Sequence, residues 1–351
     1  MSPERTRAAT PGTSAGSAAR VPALPAFILA GVRSLAIDLL RELGATGASR
    51  VAALAAASGA TRAEVERRLA RLLAIGWVER EADEVRPAAP FDFLDSARIA
   101  ASLGPRAAEL EVRVLDACTS TNTTLLADAL DAPARLLAAE EQTDGRGRRG
   151  RRWLSCVGAG LTFSLARRTT CPARELAPLS LAAGVAAVRA LRALGAAEIT
   201  LKWPNDLMVH GAKLGGILAE TRIRGPAATA VIGIGLNWRA ALGLEARLRR
   251  RIAVLEDWIR PLPSRNVIVA RIAAELLDAL IAFEAHGLAP FMGDWDAFDA
   301  YRGQRLRVRL ADGRVLAGVA EGLARDGGLR LRTRTGVRAV KGGRVVNARA
   351  A

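Results

Sequence analysis

Residues 143–155, TDGRGRRGRRWLS, combine three glycines with five arginines that stand within seven residues. Gly145, Gly147 and Gly150 satisfy the spacing GxGxxG of a dinucleotide-binding loop, but that loop needs a helix that opens directly after it. The following RRWLSCVGAGLTFSL is β-like and broken by glycine, and the GK[ST] of a phosphate loop is missing. Glycine freedom and the mutual repulsion of the guanidinium groups therefore predict a mobile loop that an anion orders.

The stretch LKWPNDLMVHGAKLGGILAE holds a second group of charged residues. Lys202 and Lys213 flank a turn that contains Asp206, and we predict a β-hairpin on which both lysines face one cavity. Gly215 and Gly216 let a ligand approach the backbone. One lysine in a strand is ordinarily a surface charge, whereas two lysines, an aspartate and two glycines on one hairpin indicate a binding site.

Two further segments are compatible with the same site. The run Ser120-Thr121-Asn122 follows a predicted strand and starts a helix, where backbone amides can hold a polar group or an anion. VIGIGLNW is an apolar strand that contains Gly233, Gly235 and Asn237. Taken singly, these segments would also fit a helix cap and ordinary sheet packing. No Cys/His or Ser/His/Asp arrangement is recognisable, so the predicted chemistry is charge neutralisation and positioning by arginine and lysine.

The elements that must position these residues begin near residue 106 and mix strands with helices. Strands are predicted at EVRVLDAC, ARLLAAEEQ, AGLTFSLARR, EITLKW, KLGGILAETRI and TAVIGIGLNW. Helices are predicted at STNTTLLADAL and over residues 176–195 and 265–286. This order is α+β rather than a regular βαβ alternation. From Tyr301, short alternating strands with turns at ADG, RDGG and KGG predict a small all-β barrel of SH3-like size.

The N-terminal region predicts a winged helix-turn-helix. Helices are predicted over residues 27–43, at SRVAALAAAS with Ser49 as N-cap, and at TRAEVERRLARLLAIGW with a capping box at Thr61 and Glu64. WVER follows as a strand, and residues 81–99 are predicted to be a connector. A small helical bundle with a solvated basic face is the alternative. The exposed side of the third helix would present the DNA-binding candidates Arg62, Arg67, Arg68 and Arg71.

Length and composition limit the number of domains and the class of partner that the chain can have. A chain of 351 residues allows two or three domains, and its net charge of +16 suits a nucleotide or a nucleic acid, although arginine is frequent throughout. The three cysteines lack the spacing of a metal site, which indicates a reducing compartment. The sequence has no stretch of about 18 uncharged apolar residues, so no membrane span is predicted. A cytoplasmic location is therefore expected. The predicted division is a disordered tail (1–26), the winged helix-turn-helix domain (27–90), the catalytic domain (91–300) and the SH3-like domain (301–351).

Taken in order, STNTTLLA, AEEQTDGRGRRGRRW, LKWPNDLMVHGAKLGGILAE and VIGIGLN resemble the motifs of the biotin protein ligases. With the predicted N-terminal and C-terminal domains, residues 27–350 resemble the bifunctional members, which combine a biotin ligase with a biotin-operon repressor. The resemblance implies that the biotin carboxylate attacks the α-phosphate of ATP, with Mg²⁺, to form biotinyl-5′-AMP. A lysine of the biotin carboxyl carrier protein of acetyl-CoA carboxylase then takes the biotin. Operator DNA and a homodimer of the adenylate-bound form are implied as further partners.

The resemblance also assigns roles to residues of this sequence. Arg148 and Lys213 would be the main electrostatic catalysts, and Asp206 would orient the incoming lysine amine. The implied biotin contacts are Ser120, Thr121, Asn122, Gln142, Arg146, Gly147, Arg148, Lys213, Gly216 and Gly233. The implied contacts to ATP or the adenylate are Arg146, Arg148, Arg151, Trp153, Gly235 and Asn237. No residue is assigned as a metal ligand.

One departure from the bifunctional members keeps alternatives open. Where those members often carry a wing with glycine and tyrosine, this sequence reads EREADEVRPAAP, whose acidic residues should repel phosphate. The chain could therefore be a monofunctional ligase with a vestigial DNA-binding domain. A DNA-binding biotin sensor with weak ligase activity is a second alternative, against which the intact arginine loop and Lys213 argue. A ligase for lipoate or octanoate is a third, which the complete Gly-Arg loop disfavours.

Overall fold

The N-terminal part of the chain contains three helices and a small antiparallel sheet. The computed structural model describes residues 33–128, 130–224 and 227–349, so the predicted tail over 1–26 and the start of the helix predicted over 27–43 lie outside the described residues. The strand order is β1-β3-β2. The elements are α1 (Leu35–Thr46), β1 (Ser49–Arg50), α2 (Val51–Ser58), α3 (Arg62–Ala74), β2 (Val78–Glu81) and β3 (Glu84–Pro87).

Local sequence signals predicted the start of α3 correctly and that of α2 incorrectly. The Thr61 hydroxyl accepts from the Glu64 N–H, and the Glu64 carboxylate accepts from the Thr61 N–H at 2.9 Å, so the capping box is confirmed. The prediction of Ser49 as N-cap is wrong, because Ser49 pairs with β3 and Arg50 occupies the cap position. The connector predicted over 81–99 is also wrong at its start, because β3 forms a hairpin with β2 there.

A mixed seven-stranded sheet forms the centre of the described chain. Its order is β4-β5-β6-β10-β9-β8-β7, in which β4 and β5 are parallel and all other neighbours are antiparallel. The mixed α/β architecture predicted for this region is confirmed. No described helix is both long enough and apolar enough to cross a membrane. The elements are α4 (Ser96–Leu103), β4 (Glu111–Cys118), α5 (Thr121–Ala127), β5 (Ala134–Gln142), β6 (Gly160–Thr169), α6 (Leu179–Ala193), β7 (Thr200–Lys202), β8 (Asp206–Val209), β9 (Ala212–Arg224), β10 (Ala227–Asn237), α7 (Leu244–Leu248), α8 (Arg265–His286) and α9 (Met292–Phe298).

Helices cover both faces of this sheet. On one face α6 and α8 pack against each other and onto the strands, and α6 is buried without interruption over residues 179–188. Its many alanines allow this close approach, because a small side chain lets the helix backbone lie near the sheet. On the other face α5 contributes Leu125 to a small cluster with Leu137 and Val231. The polar start of α5 is thereby fixed against the strand ends.

The segment between Lys202 and Lys213 folds differently from its prediction. A single hairpin was predicted, whereas β8 lies between β7 and β9 as a strand of its own. Lys202 pairs with Asp206 across the β7–β8 turn, and Lys213 pairs with Met208 across the β8–β9 turn. The four-residue strand DLMV was not predicted, because it stands between two turn sequences and is too short to show the alternation of apolar and polar residues that marks a strand. Two tight turns therefore bring Asp206 near both lysines.

A second antiparallel sheet follows at the C-terminal end. Its order is β14-β13-β12-β11-β15, and the predicted turns at ADG, RDGG and KGG are confirmed. The Trp203 indole N–H donates to the Gly327 carbonyl at 3.1 Å, which holds the RDGG turn against the β7–β8 turn. The SH3-like character of this sheet stays a prediction. Its strands are β11 (Arg305–Arg309), β12 (Val315–Leu323), β13 (Leu329–Thr333), β14 (Gly336–Val340) and β15 (Arg344–Arg349).

A buried ion pair joins α8 to β5. Arg265 Nη1 lies 2.8 Å from Glu140 Oε2, and both side chains are almost completely buried. The Arg265 Nε–H donates to the Asp92 carbonyl at 2.7 Å, and its guanidinium lies 5.2 Å from the centre of the Phe91 ring. The Leu94 N–H donates to Glu140 at 2.6 Å. This pair therefore fixes the segment that links the N-terminal helices to the central sheet.

The N-terminal helices contact the central sheet at the end of β5. The Ser34 hydroxyl donates to Glu141 at 2.7 Å, and Arg68 lies 3.5 Å from the same carboxylate. Arg41 pairs with Asp116 at 2.6 Å. Glu141 directly precedes the last residue of β5, so these contacts lie next to the cavity described below.

Candidate active site

A cavity of about 340 Å³ lies where five separate segments of the chain meet. The segments are the start of α5, the end of β5 with the following loop of residues 143–155 (the Arg loop), the stretch from the β7–β8 turn into β9, the middle of β10, and the segment after α7. The structure thus brings together motifs that lie more than a hundred residues apart, such as those of Ser120 and Gly235. Of the residues predicted to bind biotin or nucleotide or to act in catalysis, those that line the cavity are Ser120, Thr121, Asn122, Gln142, Arg146, Gly147, Arg148, Arg151, Trp153, Asp206, Lys213, Gly216, Gly233 and Gly235.

The polar end of the cavity is the start of α5. Ser120 is the N-cap residue, and the Thr121 N–H donates to the Gln142 side-chain oxygen at 2.8 Å. The Asn122 amide donates to the Leu218 carbonyl at 3.1 Å. The buried Ser164 hydroxyl lies 2.6 Å from both the Thr121 hydroxyl and the Asn122 amide oxygen. These bonds fix the positions of the hydrogen-bonding side chains at this end of the cavity.

The cationic centre of the cavity is an ion pair between Lys213 and Asp206. Both side chains are largely buried, and the Lys213 ammonium also lies 5.8 Å from the centre of the Trp153 ring system. Burial lowers the pKa of Lys213, and the neighbouring Asp206 carboxylate opposes that shift. A lysine in a poorly hydrated site attracts an incoming anion strongly, because water screens its charge little there.

The Arg loop closes on itself through its backbone. The Gly147 N–H donates to the Arg151 carbonyl at 2.7 Å, and the Trp153 N–H donates to the Gly145 carbonyl at 2.8 Å. Within the described residues a single 3-10 turn precedes β6, so no α-helix opens after the glycines and the rejection of a dinucleotide fold is confirmed. Burial and the neighbouring Arg149 lower the pKa of Arg148. The predicted ordering of this loop by an anion stays a prediction.

Two glycines of β10 are required by close approach. A Cβ on Gly233 would overlap the Asn122 side-chain amide, and a Cβ on Gly235 would lie 2.5 Å from the Trp153 indole. Any larger residue would therefore displace either the polar turn or the tryptophan wall. The two glycines of the motif VIGIGLN are therefore explained by the Asn122 and Trp153 side chains, which fill the space that a Cβ would need.

Asn237 is buried and does not line the cavity. Its side-chain amide donates to the carbonyls of Lys213 at 3.3 Å and Ala253 at 3.1 Å. These bonds hold the backbone of the catalytic lysine candidate, and the assignment of Asn237 as an adenylate contact stays a prediction.

Several residues of the site were not found by sequence reasoning. Ser164 lies beneath the polar turn, and Glu220 accepts from Asn122 at 2.9 Å while pairing with Arg146 at 3.1 Å. Arg250 lines the cavity from the segment after α7. That segment pairs with Lys213 through an isolated bridge at Ile252. The run RLRRR that contains Arg250 was a visible signal, whereas nothing local marks Ser164 or Glu220.

Two of the described cysteines are buried, and the described residues hold no protein-built metal centre. Burial raises the pKa of Cys118 to about 11 and raises that of Cys156, so both thiols stay protonated near neutral pH. In the same part of the chain, no group of three or more His, Cys, Asp or Glu side chains is placed to hold a metal ion. The side chains that line the cavity are mainly cationic and hydrogen-bonding groups.

The predicted DNA-binding arginines of α3 do not share one environment. Arg67 is exposed, and Arg62 pairs with Asp83 at 3.0 Å. Arg68 contacts Glu141 of the central sheet. Arg71 lines a second cavity, of about 830 Å³, between α3 and the Arg loop. Two of the four arginines thus face the central region of the protein.

Comparison with known proteins agrees with these motifs. The model of the Biotin/lipoate A/B protein ligase family matches residues 114–237. The model of the Biotin protein ligase C terminal domain matches residues 302–346. The Bifunctional ligase/repressor BirA of Salmonella typhimurium is 34% identical over 250 residues, which cover 69% of this chain and 74% of that protein. The Biotin--[acetyl-CoA-carboxylase] ligase of Mycobacterium tuberculosis is 36% identical over 60% of this chain and 79% of its own length.

The chain belongs to the biotin protein ligase family. The family and the enzyme class predicted from the sequence are thereby confirmed. The match to the BirA of Escherichia coli, 36% identical, spans 55% of this chain and 60% of the length of that protein. The solved biotin protein ligase of Aquifex aeolicus in complex with biotin and ATP superposes with a TM-score of 0.58 at 25% identity, over 69% of this chain and 99% of its own.

Proposed function

We propose that this chain is an ATP-dependent biotin protein ligase, which forms biotinyl-5′-AMP and transfers biotin to a lysine of the biotin carboxyl carrier protein of acetyl-CoA carboxylase. The observation that carries the proposal is the shared cavity of the Lys213–Asp206 pair, the Arg loop and the polar turn at Ser120. The polar turn suits the neutral ring of biotin. The cations suit the place where a carboxylate and a phosphate must meet.

In the first step a carboxylate oxygen of biotin attacks the α-phosphorus of ATP, the bond to the β-phosphate breaks, and pyrophosphate leaves. Two anions must approach each other, so the barrier is largely electrostatic. Lys213 and Arg148 line the cavity and stabilise the negative charge that gathers between the reactants. Trp153 and Gly235 form a wall that keeps water from the mixed anhydride.

In the second step the lysine amine of the acceptor attacks the acyl carbon, the bond from that carbon to the phosphate oxygen breaks, and AMP leaves. The nitrogen loses a proton as the amide forms. Asp206 lies beside Lys213 in the cavity, where its carboxylate can orient the incoming amine. The amine attacks as a free base, and the Asp206 carboxylate can accept the proton that the nitrogen loses as the amide forms.

A magnesium ion fits this site as a companion of the nucleotide. Mg²⁺ ordinarily keeps several waters and needs only one or two carboxylates besides substrate phosphates. Asp206 is the carboxylate among the residues that line the cavity, and it could hold such an ion together with the phosphates. When bound, the ion would neutralise phosphate charge.

The test is acid-dependent exchange of radiolabelled pyrophosphate into ATP, measured with biotin, lipoate and octanoate in turn. We expect exchange with biotin and transfer of biotin to a carrier domain. Exchange that depends on lipoate or octanoate and not on biotin would replace the proposal with a related ligase. Absence of exchange together with retained biotinyl-AMP binding would instead favour a biotin sensor.

A second function is favoured by the N-terminal elements. The order of α1, α2, α3 and the β2–β3 hairpin supports a winged helix-turn-helix, and relatives are named bifunctional ligase/repressor. We therefore also propose biotin-responsive repression, in which an adenylate-bound homodimer binds operator DNA through the exposed side of α3. A gel shift with the organism's biotin-gene promoter, with and without biotinyl-AMP, tests this. No adenylate-dependent shift would leave a monofunctional ligase.

A further inference from the structure

The middle of the Arg loop, residues 146–151 (the loop tip), is attached to the rest of the molecule at few points. Its backbone bonds close within the tip, as between the Gly147 N–H and the Arg151 carbonyl. The Arg151 side chain also donates within the tip, to the Arg148 carbonyl at 3.4 Å. Among the described residues, the hydrogen bonds and ion pairs that leave the tip all come from the Arg146 side chain. The position of the tip at the cavity therefore depends on what Arg146 contacts.

Arg146 reaches from the loop tip to two other elements. Its Nη2 lies 3.1 Å from Oε1 of Glu220, a largely buried carboxylate on β9. Its Nη1 donates to the Thr123 hydroxyl in the first turn of α5 at 3.4 Å. A bond between two charged groups is about twice as strong as one to a neutral hydroxyl. Glu220 is therefore the main attachment of the tip.

Glu220 also holds the polar turn, with its second oxygen. The Asn122 amide donates to Glu220 Oε2 at 2.9 Å and to the Leu218 carbonyl at 3.1 Å. A carboxylate and a carbonyl only accept hydrogen bonds, so the nitrogen of the Asn122 amide must face them. The amide oxygen then faces the Ser164 hydroxyl, which donates to it at 2.6 Å. The orientation of Asn122 is thus fixed in part by Glu220.

Glu220 joins two walls of the cavity without lining it. Arg146 and Asn122 both line the cavity, whereas Glu220 does not. Glu220 lies opposite Val231 of β10 within the central sheet, while Arg146 stands on a loop. A side chain on a strand is held more precisely than one on a loop. The carboxylate is therefore a fixed point to which the loop tip is tied.

We propose that Glu220 is a positioning residue, which keeps biotinyl-5′-AMP in the cavity by holding the loop tip closed through Arg146. The proposal rests on the proposed function, because a reactive adenylate must stay bound and shielded from water until the acceptor lysine arrives. The same carboxylate holds Asn122, so closure of the tip and orientation of the polar turn depend on one residue. Loss of its charge should release the tip and leave the sheet intact.

The test uses Glu220→Gln, which removes the charge and keeps an oxygen that can accept from Asn122. The variant is loaded with radiolabelled biotinyl-5′-AMP and chased with an excess of the unlabelled compound, and release is followed by filtration. We expect release to be about tenfold faster than from the unmodified chain, the scale of one lost charge-assisted hydrogen bond.

Asp144→Asn is the matched control, because it also removes one carboxylate that pairs with an arginine of the Arg loop. Asp144 pairs with Arg152 at 3.4 Å, and both side chains are exposed. Asp144 neither lines the cavity nor ties the loop tip to another element. The control should release the adenylate within about twofold of the unmodified rate, because an exposed pair contributes little.

A double-mutant cycle separates this attachment from a general loss of structure. Arg146→Gln alone should also speed release, and its combination with Glu220→Gln should add little, because both changes remove the same ion pair. Effects that multiply in the double variant would overturn the proposal. Release from Glu220→Gln at the unmodified rate would overturn it as well.

Cleavage by trypsin reports on the loop tip without any ligand. Trypsin cuts after arginine, and Arg149 and Arg151 of the tip are exposed. Cleavage tracks the population of the open form, so the tip of ligand-free Glu220→Gln should be cut about tenfold faster than that of the unmodified chain. Asp144→Asn should be cut at the unmodified rate, with the sites located by mass spectrometry. Equal cleavage in Glu220→Gln and Asp144→Asn would contradict the attachment.

Failure of the proposed function gives a different pattern. If the unmodified chain shows no biotin-dependent pyrophosphate exchange, the ligase function itself fails, and the trypsin comparison still decides whether Glu220 holds the tip. If exchange is present and the tip of Glu220→Gln is cut faster while adenylate release is unchanged, the tip does not retain the adenylate and the proposal is refuted.

Discussion

Lys213 is the residue on which the chemistry of the cavity depends most directly. Its ammonium is buried, paired with Asp206 and aimed at the space beneath the Arg loop. We expect Lys213→Ala to reduce biotin-dependent pyrophosphate exchange by about 10²–10³-fold, the usual loss for one preorganised charge at a reacting anion. Lys341→Ala is the control, since Lys341 is exposed, pairs with Asp326 and does not line the cavity. Exchange at the unmodified rate in Lys213→Ala would contradict its assignment.

The partner of Lys213 leads to a prediction about pH. Burial lowers the pKa of Lys213, and Asp206 raises it again through its charge and its hydrogen bond. The first step needs the charged lysine, so exchange should fall as pH rises through this lowered pKa. Without the Asp206 carboxylate the pKa falls further. Asp206→Asn should therefore move the alkaline limb of the pH profile for pyrophosphate exchange to lower pH.

The matched control for that profile is Asp326→Asn, which removes an exposed carboxylate from the C-terminal sheet. Its alkaline limb should coincide with that of the unmodified chain. A limb that stays in place in Asp206→Asn, or that moves to higher pH, would show that another group controls the charge of the site.

At the scale of elements, strand β10 places its glycines against the polar turn of α5. A Cβ on Gly233 has no room beside the Asn122 amide, which itself holds the Leu218 carbonyl. We expect Gly233→Ala to weaken biotin binding by about tenfold or more through displacement of that turn, on the scale of one lost polar contact set. Isothermal titration with biotin measures the effect, and far-UV circular dichroism checks that the fold is kept.

Gly293→Ala is the control variant, because Gly293 lies in α9 and a Cβ added there would meet no atom within 4 Å. That variant should bind biotin like the unmodified chain. Equal biotin affinity in Gly233→Ala would mean that Asn122 is free to move without loss, contrary to its hydrogen bonds.

The elements that the sequence predicted well are those with strong local signals. The helix over 265–286 is confirmed at both bounds because a Ser264 cap and Gly287 delimit a long apolar period. Strand β8 was missed because it is short and enclosed by turns. Most cavity residues were predicted because their motifs are contiguous in the sequence. Ser164 and Glu220 were not, since their roles arise from strand pairing and not from neighbouring residues.

At the scale of the whole molecule, Arg265 and Glu140 connect α8, β5 and the segment over 91–95. Both charges are buried, and removal of one partner leaves the other uncompensated. Arg265→Met should lower the free energy of unfolding by about 3–5 kcal/mol, measured by urea denaturation. The control is Arg189→Met, which breaks a half-exposed pair with Asp294 and should cost no more than about 1 kcal/mol. Similar losses in the two variants would argue against a special role for the buried pair.

Trp153 gives the cavity an optical property of its own. Its indole lies against Gly235 and near the Lys213 ammonium, and its N–H has no hydrogen-bond partner among the described residues. Indole emission responds to neighbouring charge and to water, both of which change when an anion occupies the site. The difference in emission between the chain and its Trp153→Phe variant therefore isolates one tryptophan from the six in the sequence. Ligand arrival can be timed in this way without a label.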